Sequence, residues 1–93
     1  MIKHIVMWTL ADKADAETVK TTLEGLKGKV PSIIDIEVGI DFSNTDASAD
    51  VVLYSTFASN DDLSAYVQHP EHQAVIPMMQ RVTTSRKVVD YEI

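Results

Sequence analysis

The side chains able to do chemistry in this sequence gather in one short stretch, Tyr66-Val-Gln-His69-Pro-Glu-His72, with a third histidine, His4, near the other end. An imidazole titrates near pH 6.5 and can accept a proton at neutral pH. Pro70 lacks an N–H, so it suits the first turn of a new helix and ends an old one. His72 then falls in the first turn after the break. There the positive end of the helix dipole disfavours an imidazolium and holds His72 as a neutral base. Tyr66 lies six residues earlier, close enough to share a pocket and donate to a developing oxyanion if its helix aims it inward. A second reading stays open at this level. A broken helix junction has backbone groups in need of partners, and His72 can serve one of them with no catalytic role.

Other chemistries are less well provided. His69 and His72 are three residues apart with Glu71 between them. Neither a third ligand nor the i, i+4 spacing of a helical zinc motif accompanies them, so no metal is expected. There is no cysteine, which removes thiolate catalysis, disulfides and Cys-ligated zinc. Ser55 and Ser64 have no nucleophile context, and Asp90-Tyr91 reads as strand packing with an edge charge. His4, Val6 and Trp8, together with His69 at the helix junction, are the expected binding residues of an apolar pocket around His72 and Tyr66.

The elements that must position these residues follow from periodicity. Residues 2–9 read as a strand, with Ile2, His4, Val6 and Trp8 on one face and Lys3, Ile5, Met7 and Thr9 on the other. Asp15 is the expected cap of a helix running to about Lys27, burying Val19, Leu23 and Leu26. Gly28 stands where a left-handed terminal residue is wanted, and Pro31 prevents resumption. Ile34, Ile36, Val38 and Ile40 alternate as a half-buried strand, and Asp41 to Ala49 is a polar loop whose composition suggests mobility. Residues 50–57 form a third strand. Ser59, with Asp62 three residues on, caps a helix that stops at Pro70. The next runs to about Val82 with a kink or a one-turn segment expected at Pro77. Lys87 to Ile93 closes the chain as a strand.

The order β-α-β-β-α-β predicts an α+β, ferredoxin-like fold, a four-stranded antiparallel sheet with both helices on one face. Strands 1 and 3 are apolar on the other face too, and nothing in the chain covers it. A homodimer packing sheet against sheet is the economical solution. The 93 residues are expected to form one domain, 1–93. Eight basic against 14 acidic side chains give a net charge of −6, which repels phosphate backbones, so no nucleic-acid partner is expected. No apolar run approaches a membrane span. A strand starting at residue 2 leaves no room for a signal peptide, and a cytoplasmic location is expected.

Several segments together resemble the stress-responsive dimeric α/β-barrel (Dabb) family. They are Ile2-Lys-His-Ile-Val, Pro31-x-Ile33-x-Asp-Ile-Glu-Val-Gly39, Thr56-Phe-x-Ser59, Asp62-Leu-x-x-Tyr66-x-x-His-Pro-x-His72 and Val88-Val-Asp-Tyr91. The resemblance spans nearly the whole chain and implies a homodimer whose two sheets close a barrel with the helices outside. Some plant members are polyketide cyclases working through a His–Tyr pair without metal or cofactor. The resemblance would place those roles on His72 as general base and Tyr66 as its partner, with His4 lining the pocket. This chain departs from that branch at Val51, where the cyclases carry a histidine on the third strand. Three functions are thus in play: binding of a small apolar molecule or stress protection without chemistry, cofactor-free acid–base catalysis on a carbonyl compound, and a haem-degrading or quinone-forming monooxygenase. The last is suggested by fold alone, which does not transmit function.

Overall fold

The computed structural model describes residues 1–93, and its sheet is built around β1 (Ile2–Leu10). This strand pairs antiparallel with β3 (Val51–Phe57) on one side and β4 (Thr83–Glu92) on the other. β2 (Asp35–Ile40) lies outside β3, giving the order β2-β3-β1-β4. That is the ferredoxin-like arrangement the element order predicts. Register fixes the faces, because directly paired residues point the same way. His4 lies opposite Ser55 and Asp90, Val6 opposite Leu53 and Val88, and Trp8 opposite Val51 and Arg86. These residues share the face toward the helices, where Val6, Trp8, Val51, Leu53 and Phe57 are buried.

Helix α1 (Ala16–Glu24) buries Val19 and Leu23, and the 3-10 turn that follows it buries Leu26. Two details differ from the sequence expectation. Asp15 makes no capping bond, because a 3-10 turn over Lys13–Asp15 precedes the helix; Asp12 caps that turn by accepting from the Ala14 amide. Gly28 is not left-handed. The helix instead tightens over Gly25–Gly28, and the amides of Lys29 and Val30 both reach the Leu26 carbonyl, at 3.0 and 2.9 Å. The positive φ in this chain belongs to Asn44, in the loop before β3. At the outer strand, Lys20 Nζ donates to the Val38 carbonyl at 2.6 Å, while the Val38 amide donates to Glu24 at 3.0 Å. Lys20 and Glu24 also pair with each other. The Val38 amide, and then Lys20, hold the Glu24 carboxyl below its ordinary pKa.

Helix α2 (Asn60–Gln68) begins as the sequence indicates, with Ser59 Oγ accepting from the Asp62 amide at 3.1 Å. Helix α3 (Pro70–Val82) has Pro70 in its first turn and carries on through Pro77 as one element. Pro77 is exposed, so the carbonyl left without a partner one turn earlier can turn to water. β4 starts at Thr83 rather than Lys87, with no loop after α3. Thr83 Oγ1 closes that helix on the Met79 carbonyl at 2.7 Å while its backbone is already extended.

The far face of the sheet carries Ile5, Met7, Val52, Tyr54, Val89 and Tyr91, with no helix over it. Met7 is 42% and Val89 54% exposed. No helix is long and apolar enough to cross a membrane.

Candidate functional site

Between the helices and the sheet lies a cavity of about 320 Å³. Its floor is the helix-facing side of β1, His4, Val6 and Trp8, and its walls include Tyr66, His72 and Arg86. The strand alternation that buries Val6 and Trp8 necessarily delivers His4 to the same space. Tyr66 arrives because it lies on the buried stripe of α2, where it is 1% exposed. The helix break at Pro70 then turns His72 back over it.

Three rings are in contact. Tyr66 lies 4.5 Å from His72 and 6.1 Å from His4, centroid to centroid. His72 Nδ1 is 2.9 Å from the Val67 carbonyl oxygen. A carbonyl can only accept, so Nδ1 carries the hydrogen and Nε2 keeps the lone pair. Burial lowers the His72 pKa; the Val67 bond opposes this, while the charges of His4 and Arg86 push it further down. The ring is therefore neutral at pH 7, with one basic nitrogen. Burial pushes the Tyr66 hydroxyl up to about 12, so it remains a proton donor. His4 Nδ1 bonds the Asp90 carboxylate across the β1–β4 pair. That bond fixes the ring and leaves its Nε2 unspent. A neutral base and a protonated phenol side by side, in a mostly apolar cavity, can move a proton next to a carbonyl.

His72 thus ties the helix junction, as one of its two sequence readings expects, and its ring also lines the cavity. Four of the residues expected near it, His4, Val6, Trp8 and Tyr66, are there. His69 is not. Its Nδ1 accepts from the Glu71 amide at 3.1 Å, which makes it the cap of α3, and it does not line the cavity. No three His, Asp or Glu side chains converge as metal ligands anywhere in the chain.

Arg86 and Gln80 carry no site reading in the sequence, and Asp90, expected there as an edge charge, instead bonds His4 on the cavity face. Parity is the signal for Asp90 and Arg86. On β4 they alternate with Val89, Tyr91 and Lys87, so they face the side opposite the bare sheet face. Val51, where a cyclase would carry a histidine, is buried beside Trp8 and adds no polar group.

A family model described as Stress responsive A/B Barrel Domain matches residues 2–93. A crystal structure from Bacteroides fragilis, described as a dimeric protein of unknown function with a ferredoxin-like fold, is 33% identical, with a TM-score of 0.81 over 99% of this chain and 95% of that one. A Dabb family protein from Mesorhizobium loti with a ferredoxin-like fold is 20% identical, with a TM-score of 0.77 over 99% and 95% of the two chains. The hydroxynitrile lyase of Passiflora edulis shares the fold at 16% identity, with a TM-score of 0.85 over 99% and 92%. No curated protein matches the chain.

Proposed function

This chain belongs to the stress responsive A/B barrel domain (Dabb) family, and from that premise we propose that it is a homodimer whose cavity binds a small, largely apolar carbonyl compound and moves a proton beside the carbonyl without a cofactor. The observation that carries the reading is the state of His72. Its Nδ1 is occupied by the Val67 carbonyl, its ring is neutral, and Nε2 is left as a base next to the Tyr66 ring. In the proposed step His72 Nε2 takes the hydrogen from the carbon next to the carbonyl. The electron pair moves onto oxygen, and Tyr66 donates to that developing oxyanion. The apolar lining excludes water and strengthens both interactions. A hydroxynitrile lyase on the same fold supports the idea that the scaffold can carry an enzyme.

Two observations support the homodimer. The sheet face opposite the cavity is apolar and uncovered, and similar structures from several bacteria are described as dimeric. Packing two such faces together buries a surface of the kind monomers rarely expose.

The test is hydrogen exchange at carbon. Aromatic and polyketide-like carbonyl compounds are incubated with the protein in D₂O, and deuterium gained beside the carbonyl is followed by NMR. Exchange above the buffer rate, lost in Tyr66→Phe, is the expected result. Binding with no exchange reduces the protein to a carrier, and no binding across the series removes the reading altogether.

A further inference from the structure

The two ends of the cavity are chemically unlike. At one end are His4, Tyr66 and His72. Four residues further along β1, about 13 Å at ~3.3 Å per residue, Trp8 lies opposite Arg86 on β4. The register puts both side chains on the cavity face of the sheet, and the uninterrupted apolar stretch between the ends includes Val6, Leu53 and Val75.

Arg86 is the unexplained group. None of the ion pairs in the fold includes it, although the chain has 14 acidic side chains and a net charge of −6. The carboxylate nearest along its strand on the same face, Asp90, is taken by His4. Of its polar neighbours in the lining, Thr83 spends its hydroxyl hydrogen on the Met79 carbonyl. Gln80 keeps its amide donors. This end of the cavity thus offers a planar fork of N–H donors and an amide, and no acceptor charge to meet them. That is what a carboxylate requires, and a guanidinium matches its geometry with two parallel bonds. A neutral ketone or aldehyde needs none of it.

We propose that the cavity selects a small apolar carboxylic acid carrying a second, remote carbonyl: Arg86 and Gln80 hold the carboxylate, and an apolar segment over Val6 places the carbonyl at Tyr66 and His72. The inference rests on the carbonyl-binding reading above and adds the charge and polarity of the ligand. It also assigns Arg86 as a specificity-determining residue for that site. Because the guanidinium bears on both Tyr66 and His72 electrostatically, a bound carboxylate would screen that charge and make His72 a stronger base when the site is filled.

The test uses 7-oxooctanoate and its methyl ester, with shorter and longer homologues of each. The ester keeps the ketone and the body and loses only the charge. Trp8, the single tryptophan, lines the cavity and reports occupancy by fluorescence. The acid should bind about tenfold or more tighter than the ester, as expected for a charge-assisted bond. The ratio should shrink with added salt, collapse in Arg86→Gln and partly return in Arg86→Lys, which restores charge without the fork. Arg86 is exposed on an edge strand, so these variants should melt close to the parent, which a thermal melt of each checks. If acid and ester bind equally, or if the preference survives in Arg86→Gln, the assignment of Arg86 is overturned while carbonyl binding stands. If no member of either series binds, the carbonyl-binding reading fails and takes this inference with it.

Discussion

His72 both ties a helix junction and offers a basic nitrogen, and one pair of substitutions separates the two roles. The Val67 carbonyl accepts from His72 Nδ1 at 2.9 Å and from Gln73 Nε2 at 2.8 Å. In His72→Ala the carbonyl keeps its second partner, so the loss is one hydrogen bond without an orphaned acceptor, about 0.5–1.5 kcal/mol. For a domain of this length ~1 kcal/mol corresponds to about 4–8 °C in Tm. Asparagine carries its amide nitrogen where the imidazole carries Nδ1, and has nothing at Nε2. His72→Asn should therefore melt close to the parent. Both variants should lose about 10²–10⁴-fold in the exchange rate, which at ~1.4 kcal/mol per decade is about 3–5 kcal/mol of barrier. Thermal melts and the deuterium-exchange assay, run on the same samples, give the two numbers. Parental exchange in His72→Asn would refute the base. A melt as low as that of His72→Ala would refute the anchoring role assigned to Nδ1.

The remaining predictions concern the same cavity and the opposite face. Because the folded-state pKa of His72 is lowered, protonation favours the unfolded chain. Its contribution to stability is therefore intact above the unfolded value near 6.5 and falls as pH drops below it; denaturant titrations of parent and His72→Asn should diverge between pH 7 and 5, and parallel curves would contradict the shift. Tyr66→Phe should leave the melt nearly unchanged, since burial of the ring and not its hydroxyl holds α2, whereas Tyr66→Ala should cost about 3–5 kcal/mol by chemical denaturation. Ile5 sits at the centre of the bare face between Tyr54 and Val89, so Ile5→Asp should halve the mass seen by light scattering at micromolar concentration; an undiminished dimer would move the interface elsewhere.

The fold was legible because its signals are periodic and local. Alternation in residues 2–9, the Ser59–Asp62 cap and the Pro70 break all appear in the structure as the sequence suggests. The helix ends were less so. Gly28 invites a left-handed terminus, but a 3-10 turn satisfied the same backbone groups by another route. The start of β4 was hidden because Thr83, Thr84 and Ser85 bring neither glycine nor proline to mark the junction. Within the site, Tyr66 and His72 lie on adjoining helical turns and could be read together. His4 and Asp90 are separated by almost the whole chain, and only the pairing of β1 with β4 joins them. His69 went the other way: a histidine beside a proline at a helix start is as good a cap as a ligand, and its orientation decided the matter.

The tie between α1 and β2 has a consequence for how this protein avoids aggregating. An outer strand presents unpaired N–H and C=O groups that can template the addition of a foreign strand. At Val38, in the middle of β2, both outward groups are already taken, the carbonyl by Lys20 and the amide by Glu24. Two side chains one helical turn apart thus imitate the next strand and close that margin to newcomers. Copies of the chain that meet along β2 find its central ladder positions already occupied, which disfavours extending the sheet at that edge.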